Sequence, residues 1–319
     1  MSAGPAGRVT LARSMPEYIQ DALAEAPRLR DRERQQSLTD RHLTPVLPAL
    51  EALLLGLRAE LDPVLREAQP ASEAKPYPLG QCLRITEAVQ QRLESLDPAG
   101  LSADGAEAHA ALRDFLKAGG ALRRAWGDLR DQYFQNALIV GTLYVDVSND
   151  TVVIEKPPVE ILPFAEAGFK AITDYGHFAR IAERYWKHRI LPNHLLPELA
   201  PYQPLIQISP TGQLSFGPVN RYMLGMTLAN GFAPSEQALA APALPPKVFA
   251  GLSAALRGGP AAVAASAEEG RRAALAHCRT YRAERRAHCV DSFNHALAAG
   301  REANRRLARL VAIPQFGGG

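Results

Sequence analysis

The stretch Asn136-Ala-Leu-Ile-Val-Gly-Thr-Leu-Tyr-Val-Asp-Val147 decides the fold class. Ala137–Val140 and Thr142–Val147 are rich in β-branched and aromatic side chains, which suit a pleated, half-buried surface better than a helix. Thr151–Ile154 repeats the type after the turn-forming Ser148-Asn149-Asp150, so the region reads as a β-hairpin. Downstream, Ile206–Ile208 and Leu214–Phe216 flank Ser209-Pro-Thr-Gly-Gln213, a second hairpin whose Gly212 is free to take a positive φ. Between the two hairpins the spacing predicts a helix over Ala171–Ile190. Its Phe178, Ile181 and Tyr185 form one stripe, with Arg180, Arg184 and Lys187 beside it. Fourteen of the 21 aromatic residues lie between Trp126 and Phe232, so residues 131–235 are expected to form an aromatic-rich α+β core.

On the N-terminal side the period lengthens to that of helices. Residues 1–38 read as an arm or docking helix with a weak face of Tyr18, Ile19, Leu23 and Ala26. Residues 39–130 read as a helical bundle. Leu47, Leu50, Leu54, Leu57 and Leu61 form one apolar stripe with Asp40 as its expected N-cap; a second helix starts near Gly80, and a third is expected from Ala106 through Leu122 to Trp126.

On the C-terminal side, residues 236–268 are an Ala/Pro/Gly-rich linker around a short helix, and 269–319 a basic helical segment. Ten arginines face three acids between Gly270 and Leu310. At 100° per residue Arg279, Arg282 and Arg286 share one face and Arg301, Arg305 and Arg309 another, so a break near Gly300 or a buried turn at Phe293 and Leu297 is expected. The expected class is α+β, predominantly helical: an N-terminal bundle, a centre with two β-hairpins and a helix, and a basic helical C-terminus.

The 319 residues are 47% hydrophobic and 22% charged, which excludes an intrinsically disordered polymer; the net charge of +3 is too small to select a partner class. Three scattered cysteines do not make a disulfide framework, Met1–Ser14 lacks the apolar core of a secretory signal, and Leu43–Leu57 is too short and too interrupted to span a bilayer. A soluble protein of a reducing, cytoplasmic compartment is the expectation. The sequence has no G-x-x-x-x-G-K-[ST] loop, no G-x-G-x-x-G turn after a strand, no H-E-x-x-H and no G-x-S-x-G, which removes four common enzyme classes.

Five constellations carry possible chemistry. Asp174 and His177 stand at i, i+3, where both can meet one transition metal, and His188 and His194 follow; the same residues also suit caps and a polar helix face. Asp146-Val-Ser-Asn-Asp150 offers oxygen ligands to a hard cation but reads better as an Asx-rich turn. His277-Cys278 and His288-Cys289 are too far apart along one helix to chelate a single zinc. Arg180–Arg189 mixes cations with aromatics in the manner of single-stranded nucleic-acid binders, or of a solvated helix face. The C-terminal arginines exceed what solubility requires.

The leading expectation is therefore an interaction or regulatory protein that docks on an acidic protein or other polyanion through Arg279, Arg282, Arg286, Arg301, Arg305 and Arg309. The alternative is an enzyme with a small-molecule site in 126–232. It would have His177, His188 and His194 as catalytic groups, Asp174 and His177 as ligands of a transition metal, and Tyr133, Tyr175 and Trp186 as pocket walls. The third is nucleic-acid binding.

Overall fold

Strand β2 of the computed structural model (Tyr133–Val140) shows why the deciding stretch is almost uninterrupted in apolar side chains: it is covered on both faces. The structure describes residues 14–69, 75–217, 220–259 and 261–309. Expectations for 1–13 and 310–319 lie outside them. The class is α+β, with eleven α-helices and two antiparallel sheets among the described residues. The chain divides into two units, residues 25–171 and residues 14–24 with 172–309.

Helix α1 (Met15–Ala24) belongs to the second unit. The first unit begins with α2 (Arg32–His42), α3 (Leu47–Glu67), α4 (Cys82–Glu94) and α5 (Ala103–Lys117). Its sheet follows: β1 (Leu122–Leu129), β2, β3 (Leu143–Asp146), β4 (Glu160–Pro163) and β5 (Phe169–Lys170), in the order β4-β3-β2-β1-β5. Side chains alternate across the pleat. Leu138, Val140, Leu143 and Val145 meet Leu50, Leu54, Ile85, Val89, Leu112 and Phe115 of the helices, while Ala137, Ile139 and Tyr144 join Ala125, Leu129 and Phe169 on the other face.

Three expectations are corrected here. The third helix does not reach Trp126. It stops at Lys117 because Gly119 takes φ +92° and the Gly120 N–H bonds back to Phe115 O, a glycine-closed helix end, and Leu122 then opens β1. The spacing of Leu122 and Trp126 fits a helix and a strand about equally, which is why it misled. Thr151–Ile154 is not a strand: the Thr151 N–H and hydroxyl both close on Ser148 O in a 3-10 turn, and β3 pairs with Glu160–Pro163 instead. Asp40 is not the cap of α3; it lies inside α2 and accepts from Gln36 Nε2.

The second unit places α1 against α7 (Arg221–Ala229), where Gly225 leaves room for Ala22. Helix α6 (Tyr175–Ile181) passes into a π turn at Ala182–Trp186 and then into β6 (Arg189–Pro192), so the helix expected over 171–190 is shorter than its pattern. β7 (Leu205–Ile208) and β8 (Leu214–Gly217) complete a sheet of order β6-β7-β8. The β7–β8 hairpin turns at Gly212 with φ +77°, as its sequence implied. Helices α8 (Ala233–Leu239), α9 (Pro246–Leu256), α10 (Ala267–Ala283) and α11 (Val290–Leu307) close the unit.

The short helix expected within 236–268 is α9. Val248, Phe249, Leu252 and Leu256 of α9 are buried in the same cluster as Cys278 and Tyr281 of α10 and Phe293, Ala296, Ala303 and Leu307 of α11. The basic helices are therefore part of a core and not a tethered tail. Their break lies at residues 284–289, where Arg285 takes φ +54°, and α11 runs straight through Gly300. No helix among the described residues is long and apolar enough to cross a membrane.

Candidate functional site

The arginines of α10 and α11 fall into two groups once the backbone is in place. One group serves the protein itself. Arg271 donates to Ala240 O and Ala241 O, Arg282 to Gly231 O and the Glu236 carboxylate, and Arg306 to Arg257 O, Gly258 O and Glu302. These guanidiniums close loop ends whose carbonyls have no strand or helix partner. Arg286 does not continue the face of Arg279 and Arg282, because the helix has ended before it. It lies over the Tyr281 ring at 4.0 Å and pairs with Glu284 at 2.6 Å.

The other group points outward. Arg272, Arg285, Arg301 and Arg309 are exposed and, among the described residues, join no ion pair; Arg279 reaches Glu236 only at 3.9 Å, and Arg305 holds Glu302 at 2.7 Å while remaining exposed. Arg272 and Arg279 are seven residues apart on α10, so they share one side of it. Of the six arginines named from the sequence, Arg279, Arg301, Arg305 and Arg309 belong to this outward group, and Arg282 and Arg286 to the inward one.

Asp174 is the N-cap of α6. Its carboxylate accepts from the His177 N–H at 2.7 Å and from the Thr173 hydroxyl at 2.9 Å. Burial acts to raise this carboxyl, but the bonds from His177, Thr173 and Gly176 outweigh it and hold it below the usual carboxylate value. The buried His177 turns Nδ1 towards the N–H and hydroxyl of Thr173, both at 3.3 Å. The i, i+3 spacing that suits a metal pair serves here as a capping spacing as well, through the His177 backbone N–H.

The other two histidines occupy different settings. His188 is half-buried with its ring 5.4 Å from that of Trp186. His194 is fully buried, its Nε2 3.0 Å from Leu239 O and its Nδ1 without a hydrogen-bond partner among the described residues. Burial, with Arg271 adding to it and the Leu239 bond opposing it, holds this imidazole below its ordinary value.

The expected pocket walls are likewise separate in kind. Tyr133 opens β2 in the first unit, with the Lys156 ammonium 5.3 Å over its ring. Tyr175 is a core residue whose hydroxyl meets Thr227 Oγ1 at 2.8 Å, and burial pushes its phenol up. Trp186 is half-buried, edge-on to the buried Phe178.

Cys278 is inside the core, where burial pushes its thiol up to about 12. Cys289 caps α11, and bonds from the Ser292 hydroxyl and N–H pull its thiol below the usual value. The two His-Cys pairs thus serve unlike positions. All three cysteines are free thiols.

The most concentrated electrostatic site is one that spacing arguments passed over. Arg58 of α3 is only 1% exposed. It donates to both oxygens of Asp150 at 3.0–3.1 Å, to Asp62 at 3.0 Å, and to the carbonyls of Val147 and Pro158. Tyr77 closes the ring of contacts by donating to Asp62 at 2.7 Å. The Asp146–Asp150 stretch, read as an Asx-rich turn in preference to a hard-cation site, is wrapped in part around a cation that the chain supplies. Beside it the fully buried Asp146 accepts from Gln135, Tyr144 and twice from Ser148. The signal was present in the sequence: position 58 is four residues after Leu54, on the apolar face of α3, where an arginine demands buried acids.

Compared with protein-family models, with curated proteins and with solved structures, the chain matches none of them.

Proposed function

We infer that the protein binds an anionic partner through the outward arginines of α10 and α11. The observation that carries this reading is the display, on packed helices, of outward charge that is largely unpaired, Arg279 approaching Glu236 at 3.9 Å. Arg272, Arg279, Arg285, Arg301 and Arg309 stand on or beside helices whose opposite faces are buried, and the region from Gly270 to Leu310 holds ten arginines against three acids. Fixed cations meet a polyanion with less ordering cost than cations on a flexible tail, and each released counterion makes the association salt-dependent.

The inward arginines are part of the same design. With Arg271, Arg282 and Arg306 fastening the loops at residues 240–241, 231 and 257–258, the outward set keeps a fixed geometry. Variants at those three would confound binding with stability.

The test is retention of the full chain on immobilised heparin. Replacing Arg272, Arg279, Arg301 and Arg309 by Gln should move elution to markedly lower salt, with an unchanged circular-dichroism spectrum. Unchanged elution would overturn the reading.

A further inference from the structure

The cationic surface of α11 extends beyond the arginines of its own segment. Arg306 reaches from α11 to the end of α9, where it donates to Arg257 O at 3.1 Å and Gly258 O at 2.9 Å, while its Nε holds Glu302 at 3.1 Å. This fastening uses only the backbone of Arg257. The Arg257 side chain is exposed and joins no ion pair among the described residues, so a further cation is carried to α11 from outside the 270–310 segment. Gly258 beside it takes φ +72°, and no described neighbour lies within 4 Å of where a Cβ would stand. The corner is open.

The helix supplies the rest of the surface. Arg301 and Arg305 are four residues apart, about 6 Å along the axis, and Arg309 follows just past the C-cap Ala308. From Ser292 to Leu307 Glu302 is the only acid, and its carboxylate is already held by Arg305 at 2.7 Å and by Arg306 at 3.1 Å. Between residues 298 and 309 the exposed side chains are Arg301, Arg305 and Arg309 with Ala298 and Ala308. The face is therefore guanidinium set among alanine.

That composition selects among polyanions. A guanidinium fork offers two parallel N–H groups to one phosphate, and alanine beside the forks lets a phosphate chain lie close to the helix. An unpaired strand is held in large part by stacking its bases on rings, and a protein partner by aromatic or apolar anchors at the centre of the interface. A duplex asks for neither, because it turns its phosphates outward and keeps its bases stacked within. We propose that Arg257, Arg301, Arg305 and Arg309 form a track for the phosphate backbone of double-stranded nucleic acid, held without regard to base sequence. The proposal rests on the anionic-partner reading of α10 and α11, and adds to it a class of partner and a residue outside both helices.

The full chain is titrated into a short fluorescein-labelled duplex of mixed sequence, and label anisotropy is read at several salt concentrations. The logarithm of affinity should fall linearly with the logarithm of salt. Arg257→Gln should make that slope shallower by about 0.9, the share of one phosphate on a duplex, and Arg301→Gln should do the same. Arg257→Lys keeps the charge and should keep most of the slope. Because Arg306 grips the carbonyl of residue 257 and not its side chain, the urea midpoints of wild type and the residue-257 variants should coincide. A duplex of unrelated sequence should bind equally well, and the corresponding single strand more weakly.

Absence of duplex binding at low salt would overturn the proposal. Heparin retention that still responded to the four-arginine variant would then leave the wider reading standing, whereas unchanged retention would remove both. The proposal would also fall if the single strand or polyglutamate bound as tightly as the duplex, if one duplex sequence were strongly preferred, or if Arg257→Gln left the slope unchanged.

Discussion

Replacing Arg58 by Met keeps most of the side-chain volume in the first unit and removes its buried charge. Asp150, 7% exposed, then loses a bidentate partner, Asp62 loses a bond at 3.0 Å, and the carbonyls of Val147 and Pro158 lose their donor. Breaking one side of a buried ion pair costs about 3–5 kcal/mol, because the remaining charge stays desolvated and alone. Total stabilities are only about 5–15 kcal/mol, so the loss is a large fraction. At about 2–4 °C per kcal/mol for a unit of this size, the first unit should melt roughly 6–20 °C lower.

The assay is thermal and urea unfolding of wild type, Arg58→Met, Asp150→Asn and the double variant. The cycle separates the pair from the packing: Arg58→Met with Asp150→Asn should be more stable than the sum of the two single losses implies, since the buried Asp150 charge is gone and only the more exposed Asp62 is left without its arginine. A loss under about 1 kcal/mol for Arg58→Met, or strict additivity in the double variant, would refute the reasoning.

Three further outcomes follow from the second unit. The folded imidazole of His194 lies below its unfolded value of about 6.5, so protonation favours the unfolded chain; its contribution to stability is complete above that value and declines as pH falls below it. His194→Gln, which can still donate to Leu239 O, should flatten that decline in urea midpoints measured from neutral to mildly acid pH, and an unchanged profile would count against the assignment. Iodoacetamide followed by peptide mass analysis of the native protein should label Cys289 well before Cys278, since one thiol is lowered at a helix cap and the other raised in the core; the reverse order would contradict it. Arg282→Gln should cost about 0.5–1 kcal/mol through the loss of Gly231 O and Glu236, whereas Arg285→Gln should stay within a few tenths, as measured by chemical unfolding; equal effects would erase the division into inward and outward arginines.

Much of the fold was legible because local pattern and tertiary packing agree. The β-rich stretch at 136–147 is a hairpin, Gly212 turns the second hairpin, and the leucines at 50, 54 and 57 face a core. Reading failed where one spacing serves two structures. Leu122 and Trp126 satisfy a helical interval while lying on one strand, and the stripe Phe178-Ile181-Tyr185 continues past the point where the helix widens into a π turn.

At 236–268 alanine and proline suggest a linker around a short helix; that helix is α9, and its Val248, Phe249, Leu252 and Leu256 are buried. At the candidate site, net charge showed that the C-terminus is basic. It could not show which guanidiniums are spent on carbonyls, because Gly231, Ala240 and Gly258 are brought to them only by the folded chain. The Asp174–His177 spacing is readable as a cap or a ligand pair, and the folded chain shows the cap, made through the His177 backbone N–H.

The central claim is that outward arginines on α10 and α11 engage a polyanion as a fixed set. The most direct measurement is the affinity of the full chain for fluorescein-labelled heparin as a function of salt, for wild type and for the chain with Arg272, Arg279, Arg301 and Arg309 replaced by Gln. The account expects a steep linear fall of log affinity with log salt in the wild type and a clearly shallower one in the variant, with both chains equally stable. Equal slopes and equal affinities in the two chains would contradict it.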